Sequence, residues 1–207
     1  SSADSPNVQN IPIRIPYIGK ILRRAIIPRE GNVLVEIDYK ALEFKIAACF
    51  WNDPVMITYA SDPTKDVHRD MAAELFCTDK VSKEMRFFAK NNFVFPVLYG
   101  SYYVQCSSNL WEVLHERKLM TSEGESCLDV LKRRGIDRLG KCDPKIDPAT
   151  GTFEKHVKEV ERAFLGKFNV FAKSKDAWYQ KYRERGWIPL KTGFRVGGLL
   201  SKNNCLN

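Results

Sequence analysis

A proline inside an otherwise helical run limits this chain more than any other feature. Residues 82–100, SKEMRFFAKNNFVFPVLYG, have helical spacing, yet Pro96 has no N–H for the Asn92 carbonyl and its ring clashes with that carbonyl. The helix must therefore loosen between 91 and 96. Upstream of that point, Arg86 and Lys90 stand four residues apart on one helical face. Two cations in that register repel, so they make sense beside an anion. Phe87, Phe88, Phe93, Phe95 and Tyr99 surround them, and Gly100 follows where a helix end favours it. Fixed positive charge among aromatic rings suits a nucleotide, with phosphates on the cations and a base on a ring. Taken alone, the stretch reads more simply as a core helix with two snorkelling basic side chains.

A second stretch shifts that balance. Residues 33–38, VLVEID, read as a buried strand ending on a carboxylate, and residues 39–50 as a helix beginning immediately after it. With AIIPREGN before it, the strand forms a predicted hairpin that carries Asp38 to a sheet edge, where a metal ion can reach it. Asp38 is also a good helix N-cap, and both readings can hold. Glu43 lies in the new helix. Further on, Asp66 is predicted to cap VHRDMAAELF, with Val67, Met71 and Leu75 on one apolar stripe and His68 off it, as an exposed histidine would be.

The remaining segments are read more coarsely. Residues 1–16 are an extended, proline-containing stretch, followed by a basic patch of Lys20, Arg23 and Arg24. Residues 101–120 read as a helix with Tyr103, Cys106, Leu110 and Leu114 on its apolar face. Residues 121–152 form a loop-rich insertion with one short helix, SCLDVLKRR. Its Lys132, Arg133, Arg134, Arg138 and Lys141 read as a solvated charge run, with phosphate contacts as the alternative. Residues 153–186 are a long amphipathic helical segment broken near Gly166, and WIPLKTGFRVGG is a hairpin.

Composition sets outer limits. With 207 residues, 44% hydrophobic and 28% charged, the chain can build one substantial core or two small lobes of an ordinary globular protein. A net charge of +8 fits a polyanionic partner. No apolar run is long enough to cross a bilayer and the polar start carries no signal peptide, which implies a cytoplasmic protein without a membrane partner. The six cysteines have no metal-binding spacing, so free thiols are predicted, with neither zinc nor disulfides. Walker A patterns, dinucleotide fingerprints and internal repeats are absent.

The ordered set of strand, DYxxLE and helix, then DxH, then RxxxK with aromatics and Tyr-Gly, resembles the family-A DNA polymerases. That group includes bacterial DNA polymerase I, and the likeness leans toward phage members. SSADSPNVQNIPIR, IDYKALEFK, DVHRDMAAELF and the stretch from MRFFAK to LYG match in the right order. The likeness is good over residues 1 to about 120 and loose over 150–207. It implies an α+β, predominantly helical fold: the fingers of a right-hand polymerase with a small antiparallel piece of palm. Residues 1–60 would be partial palm and 61–207 fingers. It also implies template-directed DNA synthesis with two Mg²⁺ in the complete enzyme, on primer-template DNA and deoxynucleoside triphosphates.

By the same resemblance Asp38 and the Tyr39 carbonyl hold metal, and Asp38 and Lys90 are catalytic. Arg86, Lys90 and His68 meet the triphosphate, His68 at its β-phosphate. Tyr99 meets the nascent pair, and Glu43 blocks a ribose 2′-hydroxyl. Gln9, Asn10, Arg14, Arg23, Arg24 and Gly100 would contact DNA. Glu43 favours DNA synthesis over the alternative of a single-subunit RNA polymerase relative.

The chain departs from the family pattern in two ways. Family members have eight residues from the Lys to the Tyr, whereas Lys90 and Tyr99 are nine apart. A single π-helical turn would absorb the extra residue and swing Phe95 onto the active face, with Phe93 as the alternative. In addition, the family's later His-Asp pair, which supplies a second metal-binding carboxylate, has no counterpart here, and Asp176 sits mid-helix. The chain alone is therefore expected to be inactive: one half of a split polymerase completed by a separate C-terminal fragment, or a catalytically silent DNA- and nucleotide-binding piece.

Overall fold

The computed structural model describes residues 16–35, 37 and 39–198. They fall into two compact units, Ser1–Lys40 and Ala41–Asn207. Helices dominate, with one small antiparallel sheet.

In the first unit a proline opens helix α1, Pro16–Arg24, where its missing N–H costs nothing. The basic residues Lys20, Arg23 and Arg24 therefore sit on a helix that the proline-rich context had hidden. The predicted strands around PREGN do not form. The turn is present, closed by the Asn32 N–H on the Arg29 carbonyl at 3.0 Å, but residues 26–29 and 32–35 are irregular. Val33, Leu34, Val35 and Ile37 are 81%, 61%, 74% and 81% exposed, the opposite of a buried strand. A strand needs a partner for its N–H and C=O groups and a cover for its apolar face, and no described residue pairs with this one. Gln9, Asn10, Arg14 and Asp38 lie outside the described residues.

The second unit starts with helix α2, Leu42–Trp51. Its N-cap is Ala41, in the left-handed region at φ 52°, which corrects both the immediate helix start and the reading of Asp38 as cap. A turn at residues 40–41 delays the helix. Asp53 caps α3, Pro54–Ser61, through Oδ1, and its Oδ2 accepts the Phe171 N–H at 2.9 Å. One buried carboxylate thus ties α3 to a helix that begins more than a hundred residues later.

Helices α4 (Val67–Leu75) and α5 (Lys83–Ala89) follow, capped by Asp66 and Ser82. A π-helical turn, Lys90–Val94, then leads into α6, Phe95–Leu98, with the Phe95 N–H bonded to the Lys90 carbonyl five residues back. Helix α7 is Tyr103–Glu116; Cys106, Leu110 and Leu114 are fully buried along its inner face.

In the insertion, α8 (Cys127–Arg133) docks through buried Cys127 and Leu131. Helices α9 (Phe153–Lys167) and α10 (Asn169–Arg185) are separated at Phe168, two residues past a helical Gly166. Packing sets that break: the Phe168 ring meets Phe44 at 5.4 Å and Phe164 at 5.1 Å, and Phe164 meets Phe93 at 6.0 Å. This ladder of rings is the core between α2, α9 and the π turn, each ring contributing a few kcal/mol of burial, on the order of 2–3. His156 of α9 reaches the Glu74 and Leu75 carbonyls at 3.0 and 3.2 Å, meeting the open end of α4.

Strands β1 (Trp187–Pro189) and β2 (Arg195–Gly197) pair antiparallel, Ile188 opposite Val196. The five cysteines among the described residues are free, and no described helix is long and apolar enough to cross a membrane.

Candidate functional site

The site is assembled around Asp66. Its Oδ1 accepts the His68 and Arg69 N–H groups at 3.1 and 3.3 Å, which caps α4. The same carboxylate takes Arg86 in a two-pronged contact, Nε to Oδ2 at 2.8 Å and Nη2 to Oδ1 at 3.3 Å. Burial alone would raise the Asp66 carboxyl. The hydrogen bonds from Arg86 and the Arg69 backbone, with the Arg86 charge, outweigh it and hold the group below the usual carboxylate range.

His68 is 1% exposed, not the surface histidine its position off the apolar stripe predicted. Packing of α5 and the π turn against α4 covers it. Both ring nitrogens are buried without a hydrogen-bond partner. Burial, with Arg86 and Lys90 adding to it against the pull of Asp66, brings its pKa down to about 4. At neutral pH the ring is therefore uncharged, with one N–H and one lone pair unused.

The π turn sorts the two phenylalanines. Phe93 is 0% exposed and belongs to the core. Phe95 is half-buried, edge-on to His68 at 5.7 Å, under the Lys90 ammonium at 4.9 Å and 6.2 Å from the Tyr99 ring. A regular helix would have put Phe93 on the Arg86–Lys90 face, so the one-residue slip decides which ring joins the cluster. Pro96 costs nothing here because it lies in the first turn of α6.

Tyr99 ends α6, and Gly100 follows it at φ +91°, a conformation that suits glycine. The Tyr99 hydroxyl pKa is raised by burial and then by the Glu43 charge, which reaches it from the first turn of α2. The structure thus brings Arg86, Lys90, His68, Phe95, Tyr99 and Glu43 together and leaves Phe93 out. Tyr39, in the first unit, is 70% exposed. Sequence reasoning had Asp66 only as a cap; its pairing with Arg86 across twenty residues carried no local signal. It also missed the Tyr59 hydroxyl that donates to Asp70 on the outer side of α4.

Comparison with known proteins places the chain in a family. Residues 1–120 match the model of DNA polymerase family A. DNA polymerase I of Caldicellulosiruptor bescii is 37% identical over 101 residues, which is 48% of this chain and 12% of that protein. The thermostable DNA polymerase I of Thermus aquaticus is 38% identical over 101 residues, with the same coverage of 48% and 12%. The chain thus spans about an eighth of the length of these relatives. In fold it is similar to the POL domain of Pol1 from M. smegmatis, solved in complex with DNA primer-template and dNTP. The TM-score is 0.61 at 20% identity, over 99% of this chain and 30% of that one. With more than half its length matched by the family model, and four motifs in the family's order, the chain belongs to DNA polymerase family A.

Proposed function

We propose that this chain is the triphosphate-gripping part of a template-directed DNA polymerase that adds deoxynucleotides to a primer 3′ end. The observation that carries this reading is the convergence of Arg86, Lys90, neutral His68 and Phe95 on one small volume. Arg86 and Lys90 would neutralise phosphate oxygens, and Arg86 keeps part of its donor fork in hand while Asp66 holds the rest. A neutral His68 has an N–H with no protein acceptor, so a phosphate oxygen is a natural partner that adds no repulsion between cations. Phe95 and Tyr99 would flank base and sugar, and the Glu43 carboxylate would exclude a 2′-hydroxyl.

Residues 61–207 would be fingers and 1–60 a part of the palm. In that palm Gln9, Asn10, Arg14, Arg23 and Arg24 would track primer-template DNA, as would Gly100 in the fingers. Asp38 and the Tyr39 carbonyl would hold Mg²⁺, which when bound would neutralise charge on the phosphates. Among the described residues no three His, Cys, Asp or Glu side chains converge into a metal-holding group, and Asp38 lies outside them. Such a polymerase would act in the cytoplasm, on DNA and nucleotides.

Primer extension with Mg²⁺, run with and without a separately supplied C-terminal palm fragment, tests the reading. Synthesis only on mixing marks half of a split enzyme. Triphosphate binding without synthesis in either tube marks a silent nucleotide-binding piece. No triphosphate binding at all overturns the proposal.

A further inference from the structure

The insertion between α7 and α9, beyond the residues matched by the family, contains a cavity organised around an unused carboxyl oxygen. Glu154, in the first turn of α9, is 1% exposed. Its Oε2 accepts the Cys142 N–H at 2.9 Å, whereas Oε1 is buried with no hydrogen-bond partner. Gly140, at φ +116°, closes over the same group: a Cβ there would stand 2.4 Å from Oε2, so the loop is shaped to this side chain. A buried acceptor with nothing to accept is disfavoured. A glutamate makes sense if something else brings the donor.

Glu154 lines a cavity of about 480 Å³, within the range of small-molecule sites. Leu139, Ile146 and Pro148 give it apolar walls. The exposed cations Arg138 and Lys141 line it together with Asp147, whose charge is met by Lys155 and Lys158, while Arg138 lends Nη1 to Asp137 at 3.4 Å and keeps its other donors. Its occupant must therefore carry N–H donors, a flat or apolar body and a negative charge. A simple ammonium would satisfy Oε1 but meet Arg138 and Lys141 as like charges. Guanine presents two adjacent N–H donors on one edge, one for the unused Oε1 and one for the lone pair that Cys142 leaves on Oε2, and its ring faces suit apolar walls.

We propose that this cavity binds a guanine nucleotide, with the base edge on Glu154 and the phosphate on Arg138 and Lys141. The guanine can come from a free nucleotide or from a single-stranded template, and the chemistry is the same.

The test is a titration of the isotope-labelled chain, followed by the amide signals of Gly140 and Cys142, with dGMP, dAMP, dCMP and dTMP, and with single-stranded dG and dA tetranucleotides. We expect saturable shifts with dGMP at least about tenfold tighter than with the other three. Glu154→Gln, which replaces an acceptor with a donor in the same shape, should remove that preference and leave the melting temperature unchanged or higher. The double variant Arg138→Ala, Lys141→Ala should weaken dGMP but not guanosine, a comparison that stands even if Glu154→Gln fails to fold. Tighter dG tetranucleotide than dGMP assigns the site to template, and the reverse to free nucleotide. Equal response to all four bases, no saturable shift with either form of guanine, or full guanine preference in Glu154→Gln overturns the proposal.

Discussion

Asp66 and Arg86 are joined by two hydrogen bonds, at 2.8 and 3.3 Å, while the same carboxylate caps the helix that carries His68. One side chain thus aims a cation and positions a buried imidazole. Replacing it separates the two jobs, because asparagine caps a helix about as well as aspartate but cannot pair with a charge. Asp66→Asn should weaken triphosphate binding about tenfold, the loss of one charge-assisted contact, with little change in melting temperature. Asp66→Ala should add a loss of about 1 kcal/mol from the cap. Denaturant melts and nucleotide titrations of both variants check this, and unaltered binding in Asp66→Asn would remove the aiming role.

The two phenylalanines on either side of Val94 should behave oppositely. Phe93 is fully buried against Phe164, so Phe93→Ala should cost about 3–5 kcal/mol in a denaturant titration. Phe95 is half-buried beside Lys90 and His68, so Phe95→Ala should cost roughly 1 kcal/mol. Its larger effect should fall on nucleotide affinity. If Phe93→Ala spares the fold and damages nucleotide binding, the placement of the two rings is wrong.

His68 gives stability a pH dependence. Its folded pKa, about 4, lies below the unfolded value of 6.5, so between those limits the unfolded chain binds the extra proton and the folded chain does not. Stability should be full above about pH 6.5 and fall as pH drops toward 4, by up to roughly 3 kcal/mol. His68→Phe should flatten that slope in chemical denaturation at pH 7 and 4.5. Asp66, whose pKa is depressed, loses its contribution only at still lower pH, below the ordinary carboxylate value of 3.8.

Lys90→Ala should reduce use of nucleotide far more than duplex binding in the completed enzyme, roughly a hundredfold against twofold, since its ammonium lies over the Phe95 ring within the cluster. Filter binding of primer-template alongside single-turnover extension measures both. Equal losses would move Lys90 out of the triphosphate site.

What the sequence revealed was what local chemistry decides. Asp66 announces a helix start, Pro96 with the nine-residue spacing from Lys90 to Tyr99 announces the π turn, and WIPLKTGFRVGG announces its hairpin. Partners distant in the chain left no such trace. His68 looks exposed on a helical wheel and is buried only because a later helix packs over it. Val33, Leu34, Val35 and Ile37 have strand preference and still lie open, since pairing depends on a neighbour rather than on propensity. The Glu154 carboxyl, without a hydrogen-bond partner for one oxygen, is likewise invisible until the Gly140 loop folds over it.

The ring ladder has a consequence for synthesis. Phe44 and Phe93 lie in the stretch shared with other polymerases, but the rings they lean on, Phe168 and Phe164, come much later, as does the Phe171 N–H that completes Asp53. Ancestry and autonomy therefore have different borders: a chain made only as far as residue 120 carries the family signature with its interior still wet. That interior closes only when α9 and the start of α10 have been made.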